Sequence, residues 1–112
     1  MGADLTLGIT KIERSFEEAV KALKELEPES VYNAVSYWFD VDEYDYDEAL
    51  AKAIECLKEV YGYYEHGSRD TAVLTLDGKR WLITGGMSWG DDPTDAFRPI
   101  ALMEDLGVTS DE

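Results

Sequence analysis

At 112 residues, with 25 Asp and Glu against 10 Lys and Arg, the chain carries a formal charge of -15. Such a charge excludes unaided attraction to phosphate backbones or anionic lipid. A hydrophobic content of 45%, with three Trp, seven Tyr and three Phe, excludes a disordered acidic tail and fits one globular domain over residues 1–112. One cysteine, Cys56, leaves no partner for an internal disulfide and no multi-cysteine metal site. No apolar run reaches membrane-spanning length, and the N-terminus lacks the regions of a signal peptide, so a soluble cytoplasmic protein is expected.

Leu5, Leu7 and Ile9 alternate with polar residues, which reads as a short strand or extended arm over residues 4–10. Ser15 and Glu18 form a capping box, and Phe16, Ala19, Val20, Leu23 and Leu26 recur at helical spacing behind it. Pro28 ends that helix, because a proline disfavours helical geometry in the residue before it. Residues 29–39 satisfy two periods: Val31, Val35 and Phe39 with Ala34 and Trp38 make a helical stripe, yet Val31, Val35, Tyr37 and Phe39 also fit a strand. A helix is the preferred reading. Asp45 as N-cap with Glu48 three residues on starts the next helix, whose apolar face runs from Leu50 through Ala53, Ile54, Leu57, Val60 and Tyr61 to Tyr64.

Residues 71–84 read as a hairpin around a two-residue Asp77-Gly78 turn, with Leu76 opposite Lys79, Leu74 opposite Trp81 and Ala72 opposite Ile83. A glycine loop is expected to follow from Gly85. A last helix is expected with Asp92 as N-cap and Pro93 at its first position, Pro99 kinking it or delaying its regular part, and Gly107 stopping it. The sum is an α+β fold: a small antiparallel sheet, the hairpin 71–84 with strand 4–10 as a further member, covered by three to four helices.

The acids are unevenly spread. Within residues 40–48 six of nine positions are acidic and none is basic, and the others are Val41, Tyr44 and Tyr46. Carboxylates at alternate positions suit hard cations, but an EF-hand needs a central glycine and a twelfth-position glutamate. Counted from Asp40, those positions hold Asp45 and Ala51, so no metal is expected. Gly86-Met87-Ser88-Trp89-Gly90 satisfies the G-x-S-x-G spacing that strains a nucleophilic serine onto a turn. Its companions are missing: His66, the one histidine, precedes the serine, and the next expected helix opens at Asp92 rather than at Ser88. Asp91, Asp92 and Asp95 would repel a phosphate held by the same loop, and there is no Gly-Lys-Ser/Thr ending. Neither serine catalysis nor a phosphate loop is supported, and Cys56 reads as a small buried hydrophobe.

The stretch from Leu76-Asp77-Gly78-Lys79 to Gly85-Gly86-Met87-Ser88-Trp89-Gly90-Asp91-Asp92-Pro93-Thr94 resembles a pattern in small phage and prokaryotic accessory proteins, with an echo in Tyr46-Asp47-Glu48-Ala49-Leu50. The resemblance covers about the last third of the chain. It implies a small accessory protein of a phage or mobile element and supplies no activity or catalytic residue.

The reading that follows is a non-enzymatic interaction domain without a cofactor. Its acidic face, Asp40, Asp42, Glu43, Asp45 and Asp47 with Tyr44 and Tyr46, would occupy a basic surface on another protein and act as a polyanion or DNA mimic, inhibiting a nucleic-acid-binding protein. No direct nucleic-acid or membrane binding is expected. Two alternatives stand beside it. One is a ligand-binding or hydrolytic module built on Gly85, Gly86, Ser88, Trp89, Gly90 and Asp91. The other is an acidic homo-oligomeric structural domain.

Overall fold

The computed structural model describes residues 4–88 and 96–110, with side chains described over 7–85 and 96–110. Among the described residues three strands and four helices follow the order β1 (Asp4–Ile12), α1 (Phe16–Glu25), α2 (Pro28–Trp38), α3 (Tyr46–His66), β2 (Thr71–Leu76), β3 (Lys79–Ser88) and α4 (Phe97–Leu106). The fold is α+β, with one antiparallel sheet in the order β1-β3-β2.

Local chemistry accounts for most of the boundaries. Ser15 caps α1 through a full capping box, its hydroxyl accepting from the Glu18 N–H while Glu18 accepts from the Ser15 N–H. Pro28 both stops α1 and opens α2: it stands at the first turn of α2, where its missing N–H costs nothing. That placement resolves the two periods of residues 29–39 in favour of the helix, with Val31 and Val35 buried on one face. At the hairpin Asp77 (φ 53°) and Gly78 (φ 78°) both take left-handed geometry, the signature of a type I′ turn, and the expected register holds at every pair. Gly107 (φ 67°) closes α4 in the left-handed conformation. The regular part of α4 starts at Phe97, two residues before Pro99, so the proline sits in the first turn. The expected helix start at Asp92 and Pro93 lies outside the described residues.

Two expectations change. Strand β1 runs to Ile12 rather than ending at residue 10 and pairs with β3 over nine rows, from Asp4↔Ser88 to Ile12↔Arg80. That length of partner strand carries β3 through Gly85, Gly86, Met87 and Ser88, which were expected to form a loop and instead belong to the strand. Helices cover one face of the sheet. On that inner face Gly8, Thr10, Ile12, Leu82 and Thr84 are buried beneath α4 and its neighbours. Gly8 marks the closest approach: a Cβ there would lie 3.2 Å from the Phe97 ring, the Phe97 carbonyl oxygen and the Thr84 methyl. The other face carries Leu7, Ile9 and Lys11 from β1, Ala72, Leu74 and Leu76 from β2, and Lys79, Trp81 and Ile83 from β3.

The core lies between the inner sheet face and the helices, centred on Leu23, Val35, Leu57, Val60, Leu82, Ile100, Leu102 and Met103. The segment after α4 docks back into it. Thr109 accepts at its carbonyl from the N–H groups of Glu13 and Arg14 (2.8 and 3.0 Å). Its buried hydroxyl donates to the Lys11 carbonyl at 2.6 Å and lies 3.1 Å from the Thr10 hydroxyl. Thr109→Val keeps the shape but strands the Lys11 carbonyl and the Thr10 hydroxyl, and a loss of about 1–3 kcal/mol is expected in urea unfolding. Unchanged stability would show that the hydroxyl network contributes nothing net.

Candidate functional site

The acidic segment is the connection between α2 and α3, so its geometry is set by how one helix ends and the next begins. Phe39 caps α2 by donating its N–H to Val35, and the chain leaves in an extended conformation. Val41 is half-buried against the core, which pins the middle of the segment and turns its neighbours outward. Asp40, Asp42, Glu43, Tyr44, Tyr46 and Asp47 are all exposed, and Asp45 is half-buried. Tyr44 is 70% exposed and takes φ 58°, an uncommon conformation for a bulky residue.

Tyrosines brace this turn. Tyr32 on α2 stacks on Tyr44 (centroids 5.8 Å apart, 27° between planes) and meets Tyr46 edge-on at 5.5 Å. The cluster holds the segment against α2 and sets aromatic rings among carboxylates. Polar contacts complete the turn. Asp45 donates its N–H to the Asp42 carbonyl (3.1 Å) and its side chain accepts from the Glu48 N–H (3.0 Å), which is the N-cap bond of α3. Glu48 does not reach back to the Asp45 amide as a regular capping box requires. It accepts instead from the Asp42 N–H at 3.2 Å, because the left-handed Tyr44 folds the chain so that Asp42 lies within reach.

Carboxylate oxygens of Asp42, Asp45 and Glu48 thereby come within 4.8 Å of one another. Two of the three are already engaged with backbone amides: Asp45 with that of Glu48 in the first turn of α3, and Glu48 with that of Asp42 in the connecting segment. Among the described residues, none of Asp40, Asp42, Glu43, Asp45 and Asp47 forms an ion pair with Lys or Arg. The expected site residues are therefore brought together, on one outward-facing turn.

Two cavities flank the segment. One, of about 260 Å³, is mostly apolar and opens between α1, α2 and α3, lined by Leu26, Val31 and Leu50 with Tyr46 and Asp47 at its rim. The other, of about 250 Å³, is polar and sets Asp40 beside Tyr37, Trp38 and Arg98. Trp38 is fixed there by donating its indole N–H to Asp105 (2.6 Å) and by an edge-on contact with Phe97. Asp105 and Arg98 both come from α4, more than fifty residues along the chain, and sequence spacing carries no signal of their approach.

The second candidate lies only partly within the described residues. Trp89, Gly90 and Asp91 lie outside the described residues, as does the side chain of Ser88. Gly85 is exposed, and Gly85, Gly86 and Ser88 are strand residues paired with Leu7, Thr6 and Asp4, which places the serine in a ladder rather than on a strained elbow. His66 is exposed at the end of α3. Cys56 is buried on α3, where desolvation first, and then Glu59, push its thiol up to about 12. A thiol so held is a packing group and not a nucleophile at neutral pH.

No helix among the described residues is long and apolar enough to cross a membrane. Compared with known proteins, the chain matches no family model, no curated protein and no solved structure.

Proposed function

We propose that the protein is a non-enzymatic, cytoplasmic interaction domain whose α2–α3 turn occupies a basic surface on a nucleic-acid-binding protein. There it would stand in for a polyanion and inhibit or modulate that protein. One observation carries the reading: Asp40, Asp42 and Glu43 on the α2–α3 turn and Asp47 in the first turn of α3 are all exposed, and none is paired with a described Lys or Arg. A fold that needed these acids only for solubility would have no reason to gather them around three contacting tyrosines. Tyrosine beside charge is the composition of protein-binding surfaces, since the ring supplies contact area at little entropic cost. The apolar cavity beside Tyr46 and Asp47 would receive an aliphatic or aromatic side chain from the same partner. The reading sits naturally with an accessory role for a phage or mobile element.

The mimic is tested by competition. A purified basic DNA-binding protein carrying a labelled duplex is titrated with this chain, and fluorescence anisotropy follows release of the DNA. Displacement that weakens steeply as salt rises from about 50 to about 300 mM is expected, because the contact is between opposite charges. If proteins captured from a host lysate are not basic, or hold equally well at both salt concentrations, the proposal fails.

A further inference from the structure

Cations are scarce in this chain, 10 against 25 acids, so a place where they gather calls for an explanation. Four of them, Lys11, Arg14, Lys79 and Arg80, meet at one end of the sheet. They come from distant parts of the sequence, and the antiparallel row Ile12↔Arg80 sets the end of β1 beside the start of β3. There the β1–α1 connection, the hairpin turn and the last turn of α3 border an open cavity of about 550 Å³. It is roughly twice the size of either cavity beside the acidic turn.

Donors dominate its lining. Arg14, Lys79 and Arg80 bring three positive charges, and their head groups donate hydrogen bonds without accepting any. The Arg80 guanidinium is oriented by donating to the Tyr64 hydroxyl oxygen at 3.1 Å, which uses one of its five N–H groups. The Tyr64 proton is then left to donate, and it has no acceptor among the described residues. Ser15 repeats the pattern: its oxygen accepts from the Glu18 N–H at 3.2 Å, and its proton has no acceptor among the described residues. Arg14 is half-buried and donates to the Val108 carbonyl at 3.3 Å, so its head group is held in place. One acid, Glu13, stands in the lining, and it lies 3.8 Å from the Lys11 ammonium. Glu18 accepts from the Ser15 N–H, while Asp77 and Glu65 adjoin lining residues in the chain without lining the cavity themselves.

Size and charge select the occupant. The volume falls within the range of small-molecule sites, about 300–1,000 Å³. Guanidinium forks match the paired oxygens of phosphate and carboxylate groups. A long polyanion fits poorly, because a chain of net charge -15 repels it over the rest of the surface. A small anion escapes that repulsion. From Tyr46 to Tyr64 the rise of α3 places the cavity about 27 Å from the acidic turn, well beyond the screening length of about 8 Å.

We propose that this cavity binds a small multivalent oxyanion, a phosphate or carboxylate compound carrying two or more negative charges. Arg80 holds it through a bidentate fork, Arg14 and Lys79 add charge, and the Tyr64 and Ser15 hydroxyls donate to its remaining oxygens. The site stands apart from the acidic turn and does not depend on what that turn contacts.

Isothermal titration of the full chain with inorganic pyrophosphate and, separately, with citrate tests the proposal, each against sodium chloride of equal ionic strength. A dissociation constant below about 1 mM is expected for at least one of them, and the tighter names phosphate or carboxylate as the chemistry. Arg80→Gln is expected to weaken binding about tenfold or more, and Tyr64→Phe, which keeps the ring but removes the orienting acceptor and a donor, by about fivefold. Lys58→Gln removes the same charge from an exposed position on α3 outside the cavity and is expected to leave the affinity unchanged. Thermal melts of each variant without ligand report that the fold is kept. Absence of binding by both anions up to about 10 mM overturns the site. Equal losses in Arg80→Gln and Lys58→Gln overturn it as well, because general charge attraction then accounts for the binding.

Discussion

Replacing Asp40, Asp42 and Glu43 by Asn, Asn and Gln is expected to weaken binding to a basic partner about a hundredfold, or about 2.7 kcal/mol. The estimate rests on three exposed charges, each contributing about 1 kcal/mol when a cation comes within about 4 Å in water-like surroundings. The same variant should be at least as stable as the parent. The Asp42 side chain caps nothing; its N–H and carbonyl make the bonds that shape the turn, and both survive the change to Asn. Its carboxylate also crowds those of Asp45 and Glu48, so neutralising it relieves repulsion. Asp45 behaves differently. Asp45→Ala removes the acceptor for the Glu48 N–H and is expected to cost about 1 kcal/mol of stability. Melting temperature and anisotropy competition, measured on the two variants side by side, separate a charge used for binding from a charge used for folding. If the triple variant still displaces DNA as well as the parent, the acidic turn is not the contact surface.

Alkaline pH is expected to destabilise the fold by on the order of 4 kcal/mol by about pH 11. The cause is two buried acids that fold in their neutral forms. Burial, and then the charge of Glu59, push the Cys56 thiol from 9.0 up to about 12. Burial, and then Tyr64, push the Tyr61 phenol from 10.0 up to about 12. Both folded values exceed the unfolded ones, so their contribution is complete below about pH 9 and is lost as pH rises toward 12, where the unfolded chain ionises and the folded one resists. Cys56 has the lower unfolded value and so dominates the early part of that window. Cys56→Ala is expected to flatten the decline by more than half while costing little at neutral pH, since the site loses only a small group. Tyr61→Phe removes the later part of the titration, but also the bond its hydroxyl donates to the Arg14 carbonyl at 2.7 Å. Urea unfolding at about pH 8 and about pH 11 checks both variants. Parallel pH profiles for wild type and Cys56→Ala would show that the thiol does not carry the effect.

The parts of this molecule legible in its sequence are those decided by neighbours along the chain. The capping box at Ser15, the stop at Pro28, the left-handed Asp77-Gly78 turn with its hairpin register, and the Gly107 cap each depend on a few adjacent residues and on backbone geometry they alone can take. Residues 29–39 lay between two periods, and their helix was settled by burial of Val31 and Val35 against α3. The exposure of the acidic segment was legible for the same local reason, since so many carboxylates cannot be buried unpaired.

Tertiary structure alone decided the rest. The residues Gly85 to Ser88 carry turn-like composition, yet they lie in a strand because β1 runs far enough to hydrogen-bond them, a choice made nearly eighty residues away. The approach of Arg98 and Asp105 to the α2 end, and the docking of Thr109 beneath Lys11, likewise follow from where α4 lands on the sheet. Period-two alternation told which side chains share a face but not which face the helices would cover. With apolar residues on both sides of the hairpin, that outcome fell to the close fit of Phe97 over Gly8, leaving Leu74, Leu76 and Trp81 facing outward.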